Sequence, residues 1–312
     1  MAGRVSLIIT TYNAARYLVQ AVESAIDQTY ADHEVIVVDD GSTDNTREVM
    51  ARYHDKVVYL HQENQERAIA RNAGLRLAGG AFVSFLDADD VVERNKLAEL
   101  VDYLEKTPPC DVVYSAMEFF WDDGRRLVVP RPTPSGDILP DLLWHNFITT
   151  SVPLFRREVL TATGGFDARW VPVEDWDLCL RASLAGFRFD YLDRLHTRCR
   201  VHGSNTTTNF VLMAEKKLAT ISGFIAAHRA ELNRRRLPAD AALAYHRADY
   251  GKYLMAGGET AKGRQMIMDQ SQFAYPGRWK YYLLGALSTW LPERAMVGLL
   301  NAWDRSRLKR IH

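Results

Sequence analysis

Carboxylates crowd one short stretch of the chain, where Phe82-Val83-Ser84-Phe85-Leu86 runs directly into Asp87-Ala88-Asp89-Asp90. An apolar run that ends in charge is the pattern of a buried strand leaving the core at a cleft. Three negative charges within four residues repel one another, and a hard divalent cation between them would relieve that repulsion. The same residues also fit a solvated acidic turn in which Asp90 caps the helical run from Glu93 to Leu104. A second acidic pair, Glu174-Asp175, opens the helically spaced segment Glu174 to Leu184. Carboxylates in a first turn favour the helix dipole, but that leaves Trp176-Asp177 directly after them without a reason. Further on, Thr197 to Asn205 leads from a strand into a polar turn containing Arg200-Val201-His202-Gly203-Ser204.

The elements around these residues alternate. Val5 to Ile9 is a β-branched run that exits through Thr10-Thr11-Tyr12-Asn13 into a helix-period segment, Ala14 to Gln28. Glu34 to Val38 repeats the pattern and ends in Asp39-Asp40-Gly41-Ser42, with Thr43 and Asp44 starting a helix over Thr46 to Tyr53. Val57 to Leu60 supplies a third strand, Glu66 to Ala78 a helix, and Phe82 to Leu86 the fourth strand. Four strands alternating with three helices predict a parallel, doubly wound sheet. Ligands bind beyond the carboxyl ends of such strands. Thr10, Thr11 and Asn13, then Asp39 and Asp40, then Gln62 and Asn64, then Asp87 and Asp89 all fall on that edge.

Past Cys110 the pattern changes. Asp111 to Ser115 reads as a strand, Phe119-Phe120-Trp121 and the turn Asp122-Asp123-Gly124 as a hairpin, and Pro130, Pro132, Pro134 and Gly136 as a loop. Thr150 to Phe155 predicts a strand, Glu158 to Ala162 a short helix, Gly164-Gly165-Phe166 a tight turn, and Phe187 to Leu192 another strand. From about Asn209 the chain reads as entirely helical, broken at Pro238 and Pro276-Gly277. Ala239 to Ala256 and Glu259 to Phe273 predict a helical hairpin closed at Gly257-Gly258.

The 312 residues carry a formal net charge of zero, which argues against a dedicated nucleic-acid binder. The balance is uneven, since Glu215 to His312 holds 17 Lys/Arg against 8 Asp/Glu. Aromatic, leucine and basic residues mix from Trp279 to Trp303, a composition suited to a membrane interface or to packing on the protein's own domain. The late apolar run Tyr281 to Ala286 is far shorter than the roughly 20 residues a spanning helix needs. No signal-peptide pattern opens the chain, and Cys110, Cys179 and Cys199 lack CxxC spacing, so reduced cysteines in the cytoplasm are expected.

In their order and spacing, several segments resemble the family 2 inverting glycosyltransferases of the GT-A fold. They are Ile9-Thr10-Thr11-Tyr12-Asn13, Val38-Asp39-Asp40-Gly41-Ser42-Thr43-Asp44, Ala70-Arg71-Asn72-Ala73-Gly74, Leu86 to Asp90, Gly165-Phe166-Asp167, Glu174 to Leu178, and Arg200 to Ser204. The resemblance spans residues 4 to about 208. It implies an α/β fold with a mostly parallel, Rossmann-like sheet flanked by helices and a catalytic domain over 1–208, whereas the basic helical extension over 209–312 is read from its own composition and suits contact with membrane, a partner or the catalytic domain. It implies transfer of a sugar from a UDP-sugar or other NDP-sugar to an acceptor hydroxyl on a glycan, lipid-linked molecule or protein, as in bacterial surface polysaccharide or glycolipid synthesis. Mg or Mn assists departure of the diphosphate in this family.

Residue by residue, Asp40 accepts from the uracil imide, and Thr10 and Asn64 line the nucleoside pocket. Thr11, Tyr12, Asn13 and Ala88 complete the donor site. Arg71 faces the base or diphosphate, where the alternative is a surface ion pair. Asp89 ligates the metal, Asp87 contacts the ribose or a metal-bound water, and His202 is a second ligand, lifted by its motif above a lone structural histidine. Asp175 is the general base, with Glu174 and Trp176 shaping the acceptor pocket. The protein would then act in the cytoplasm, with peripheral attachment to the inner face of a membrane through 275–312.

One departure stands out. The family commonly has glycines between Asn64 and Arg71, where this chain has Gln65-Glu66-Arg67-Ala68-Ile69-Ala70, and bulkier side chains there narrow the sugar pocket. Two rival readings are a phosphohydrolase of the haloacid dehalogenase type, whose Asp-x-Asp follows the first strand of its domain, and a catalytically inactive nucleotide-sugar binding module, which would lack a base or ligand.

Overall fold

The computed structural model describes residues 3–128, 133–203, 205–206 and 209–288. The chain divides into two compact units, Met1–Leu142 with Asn146–His202, and Leu143–His145 with the chain from Gly203 onward. Strands of the first unit are β1 (Val5–Thr11), β2 (His33–Asp39), β3 (Val58–His61), β4 (Phe82–Asp87), β5 (Val91–Val92), β6 (Val112–Phe120), β7 (Arg126–Val128), β8 (Leu154–Arg156) and β9 (Phe189–Arg200). Its helices are α1 (Ala15–Ile26), α2 (Thr46–Met50), α3 (Arg67–Leu77), α4 (Lys96–Lys106), α5 (Leu139–Leu142), α6 (Arg157–Thr163) and α7 (Glu174–Leu184).

These strands form one sheet in the order β3-β2-β1-β4-β8-β6-β9-β5, with β7 on β6. The first four pair in parallel, as the alternating units predict. Beyond β4 the sheet is mixed, because β8 runs antiparallel to both β4 and β6. Side chains alternate across a strand, so Val5, Leu7 and Ile9 of β1 share one face and Ile8 takes the other. Leu18, Ala21, Val22 and Ala25 of α1 pack on Leu7 and Ile9, and Leu97, Leu100 and Leu104 of α4 on Val5. On the opposite face Gly74 of α3 sits so close to Ile8 that a Cβ there would overlap it. Helices therefore cover both faces of the parallel half, each buried leucine contributing on the order of 2 kcal/mol.

Several elements depart from the sequence reading. Thr150 to Phe155 narrows to β8, because Pro153 has no N–H to donate and Val152 N turns back onto Thr149 O at 3.1 Å. The segments expected near 187–192 and 197–200 are one strand, β9, whose register with β6 slips around Ala116. The two-residue β5, too short to announce itself, pairs antiparallel with β9 and draws the acidic stretch toward Arg200. Asp90 is not a helix cap, since α4 begins at Lys96 with Asn95 at its N-cap. Pro130 and Pro132 lie outside the described residues.

The second unit holds α8 (Phe210–Arg234), α9 (Ala239–Ala256), α10 (Thr260–Met268) and α11 (Arg278–Leu287). The hairpin of α9 and α10 follows expectation, although α10 stops short of Phe273. Ala244, Tyr245, Ala248, Met255, Ile267, Tyr281 and Leu284 form its core, against which Trp144 packs. The reading of 279–303 extends past Ser288, outside the described residues.

Where the resemblance implies glycine, Glu66 adopts φ 78° and ψ 149°, a region that only glycine occupies without a penalty of about 1–3 kcal/mol. This residue bends the chain from the loop after β3 into α3. Glu66→Gly is expected to raise stability by about 1 kcal/mol, the relieved strain exceeding the extra chain entropy lost, and urea denaturation checks it.

Candidate active site

At the ends of β1 and β2 the polar residues do unequal work. Thr10 is half-buried and Tyr12 exposed, whereas Thr11 is buried and its hydroxyl has no hydrogen-bond partner among the described residues. The Asn13 side chain is committed to structure: its Oδ1 accepts from Thr43 N at 2.7 Å and from Asp44 N at 3.3 Å. Asp39 likewise accepts from Ser42 N, Tyr59 Oη and His61 Nδ1, bonds that outweigh burial and hold its carboxyl below the usual range. Asp40 is the one aimed at the loop after β3, accepting on Oδ1 from Gln62 Nε2 at 2.7 Å and from Gln65 N at 3.0 Å. Gly41, at φ 82°, lets Asn64 close in on this turn, because a Cβ would lie 2.7 Å from Asn64 N. Asp40 and the exposed Asn64 are thus brought together as the sequence predicts.

The acidic stretch meets its own repulsion with three different partners. Asp87, at the end of β4, accepts from Arg71 Nη2 at 2.7 Å. Ala88 turns its methyl into the core beneath α1, so only its backbone faces the edge. Asp89 Oδ2 lies 2.9 Å from His202 Nε2, and its carboxyl is raised by burial and by Asp87, against the pull of His202. Asp90 is buried and accepts from Arg200 N at 3.0 Å. Burial, then Asp89 and Asp87, push the Asp90 carboxyl up to about 8. Below the stretch, Ser151 Oγ takes the N–H of Asp87 at 3.1 Å, and Ser151 O takes Lys96 Nζ at 2.5 Å. Lys96 is fully buried, and burial lowers its amine to about 7.

Arg71 does not form a surface ion pair. It is 2 % exposed, and its guanidinium bonds Asp87 and also Glu174 in the first turn of α7, with Phe166 against its face at 5.3 Å. Asp87 and Glu174 outweigh burial and keep it charged. Glu174 is 2 % exposed, so it anchors Arg71 rather than lining an acceptor pocket. Trp176 is fully buried, its indole donating to Leu142 O at 2.9 Å, and belongs to the core rather than to a pocket wall. Asp175, unlike its neighbour Glu174, stays partly exposed. Its Oδ1 takes Asn146 Nδ2 at 3.1 Å and Trp176 N at 2.7 Å. Burial and neighbouring Glu174 raise Asp175 to about 6, opposed by Arg71 and the Trp176 N–H.

Asn146 falls after α5 in a stretch with no periodicity to place it, and Ser151, inside the run Thr150 to Phe155 that predicts a strand, carries no motif to mark it. Arg200 was visible only as a member of its motif. A cavity of about 540 Å³ is lined by Gln20, Glu23, Tyr53, Arg94 and Arg198 among others. Arg71→Leu is expected to cost about 3–5 kcal/mol in urea denaturation, because it strands Glu174 as an unpaired buried charge. Adding Glu174→Gln to that variant recovers part of the loss.

The sequence profile of Glycosyl transferase family 2 matches residues 6–164. An uncharacterised glycosyltransferase of Rickettsia prowazekii is 32% identical over 228 residues, covering 71% of each chain. The amylovoran biosynthesis glycosyltransferase of Erwinia amylovora is 32% identical over 197 residues, 59% of this chain and 65% of that one. Among solved structures, Staphylococcus aureus TarS 1-349 in complex with UDP-GlcNAc superposes with a TM-score of 0.62 at 20% identity, covering 86% of this chain and 81% of its own. The mannosyltransferase PcManGT of Pyrobaculum calidifontis in complex with GDP-Man and Mn2+ gives 0.56 at 21% identity, covering 97% and 88%. At those identities the likeness is one of fold, and the fold is GT-A-like. Neither the phosphohydrolase nor the inactive binding module survives this, and the chain belongs to glycosyl transferase family 2 as a glycosyltransferase.

Proposed function

We propose that this enzyme moves a sugar from a UDP-sugar or related nucleoside-diphosphate sugar to an acceptor hydroxyl, with inversion at the anomeric carbon, in assembly of a bacterial surface polysaccharide or glycolipid. The carrying observation is the Arg71 guanidinium, which bonds Asp87 at the end of β4 and Glu174 at the start of α7. It ties the strand end that meets the diphosphate to the helix that carries Asp175. The UDP-GlcNAc of TarS and the GDP-Man of PcManGT support the donor class, and the amylovoran relative supports the polysaccharide setting.

Asp40 takes the imide of the base on its remaining oxygen, with Thr10, Thr11, Tyr12 and Asn64 framing the nucleoside. Asp89 and His202 offer one oxygen and one nitrogen donor 2.9 Å apart. Among the described residues no third His, Cys, Asp or Glu completes a cluster. Two protein donors fit Mg or Mn where diphosphate oxygens complete the shell. That ion, when bound, supplies positive charge to the departing diphosphate. Asp175 receives the acceptor's proton: Asn146 and the Trp176 N–H hold its Oδ1, so Oδ2 is presented to the hydroxyl. Attack from the face opposite the diphosphate gives inversion.

Asp175 must be ionised to act, so kcat/KM is expected to rise with pH through about 6, the value burial confers on it. Asp175→Asn should lower turnover by about 10²–10⁴-fold while calorimetric UDP affinity stays near wild type. Near-normal turnover of that variant excludes Asp175 as the base.

We assign residues 209–312 to a membrane-facing extension of the 1–208 catalytic domain. No helix of the described residues is long and apolar enough to cross a membrane. On α11, however, Trp279 is 64% and Leu283 51% exposed, one turn apart, with Lys280 Nζ 5.6 Å from the Trp279 ring. Apolar residues flanked by Arg278 and Lys280 suit the anionic inner face of a bacterial membrane. Co-sedimentation with phosphatidylglycerol vesicles is expected to fall several-fold in the Trp279→Glu, Leu283→Glu double variant, and equal binding by both proteins rejects the assignment.

A further inference from the structure

Tyr17, in the first turn of α1, carries no assigned role, yet the proposed metal pair rests on it. The His202 ring stacks on the Tyr17 ring with centroids 4.8 Å apart and planes 16° from parallel. The Arg200 guanidinium lies 5.0 Å from the Tyr17 centroid and 4.4 Å from that of Phe120. Arg200 is 7% exposed. It donates through Nε to Asp89 O at 3.1 Å and is further held by Asp122 and by Gln20 of α1. Asp89 is therefore gripped twice, its carbonyl by Arg200 and its carboxylate by His202, and both gripping side chains lie against one phenol ring.

His202 follows the end of β9 by two residues, where no strand pairing fixes its ring. Two of the imidazole's contacts bear on its plane, Asp89 at one edge and the Tyr17 face. Among the described residues the Tyr17 hydroxyl makes no hydrogen bond, so the ring face, not the phenol oxygen, is the working part.

We propose that Tyr17 is a positioning residue: its ring sets the plane of His202 so that Nε2 and the Asp89 carboxylate are presented together to a divalent cation bound with the donor diphosphate. This rests on the reading of Asp89 and His202 as ligands. A phenylalanine at position 17 would serve equally, whereas an alanine would leave His202 to sample other rotamers and so weaken cation binding.

The test is Mn2+ affinity of the full chain with saturating UDP, read by electron paramagnetic resonance of free Mn2+, for wild type, Tyr17→Phe, Tyr17→Ala, His202→Ala and the Tyr17→Ala, His202→Ala double variant. Tyr17→Phe is expected within twofold of wild type and Tyr17→Ala weaker by roughly threefold to tenfold, the range a stacked ring pair supplies. In the His202→Ala background the same Tyr17→Ala change should have no further effect. The proposal is overturned if Tyr17→Ala binds Mn2+ as wild type does, if Tyr17→Phe is as weak as Tyr17→Ala, or if Tyr17→Ala weakens binding equally with and without His202. If His202→Ala itself leaves Mn2+ affinity unchanged, the ligand reading of His202 falls first and the role of Tyr17 falls with it.

Discussion

Mutual repulsion of Asp87, Asp89 and Asp90 is the constraint around which the catalytic unit is organised. Three carboxylates at the end of a buried strand cannot all stay ionised and unpaired in a low-dielectric setting. Each is answered by a different part of the chain: Asp87 by Arg71 of α3, Asp89 by His202 after β9, and Asp90 by the backbone N–H of Arg200, with its carboxyl raised by burial. Segments more than a hundred residues apart are thereby drawn to one point. The two-residue β5 then pins the stretch to β9, keeping Asp89 beside the Arg200–His202 segment.

Arg71 extends this logic to the start of α7. A buried guanidinium is costly to desolvate, and its two carboxylate partners offset that cost only while both remain in place. The consequence is geometric as much as energetic, since the start of α7 cannot move relative to β4 without breaking one of the two bonds. Asp175, next to Glu174, inherits that fixed position. It also feels the Arg71 charge, which keeps its carboxyl from rising further under burial and the nearby Glu174. A value of about 6 suits the general-base role proposed for Asp175.

Elsewhere the protein tolerates strain at the same edge. Glu66 holds a backbone conformation suited to glycine, in the loop that delivers Asn64 toward Asp40 and then turns into α3. Rigid hydrogen bonds surround it: Asp40 is clasped by Gln62 and the Gln65 N–H, and Asn13 clamps the turn at Thr43 and Asp44. Backbone conformations of this kind persist where surrounding contacts over-determine them.

Hydrophobic periodicity and turn chemistry made the first half of the fold legible in the sequence. Buried β-branched runs alternating with helical spacing placed β1 to β4 and the helices between them, and the polar residues at each strand end marked the edge where Asp40, Asn64, Asp87 and Asp89 gather. Those are local signals, carried by neighbours in the chain. What only the tertiary structure decided depends on side chains distant in sequence. The burial of Glu174 and Trp176 followed from the packing of α7, which the acidic start of that helix does not reveal. Asn146, Ser151 and Lys96 came to the site from stretches with no chemical pattern of their own. The state of each carboxylate was likewise settled in space, because protonation depends on burial and on the charges within a few ångströms, and three aspartates in four residues do not say which of them meets an arginine, a histidine or a proton.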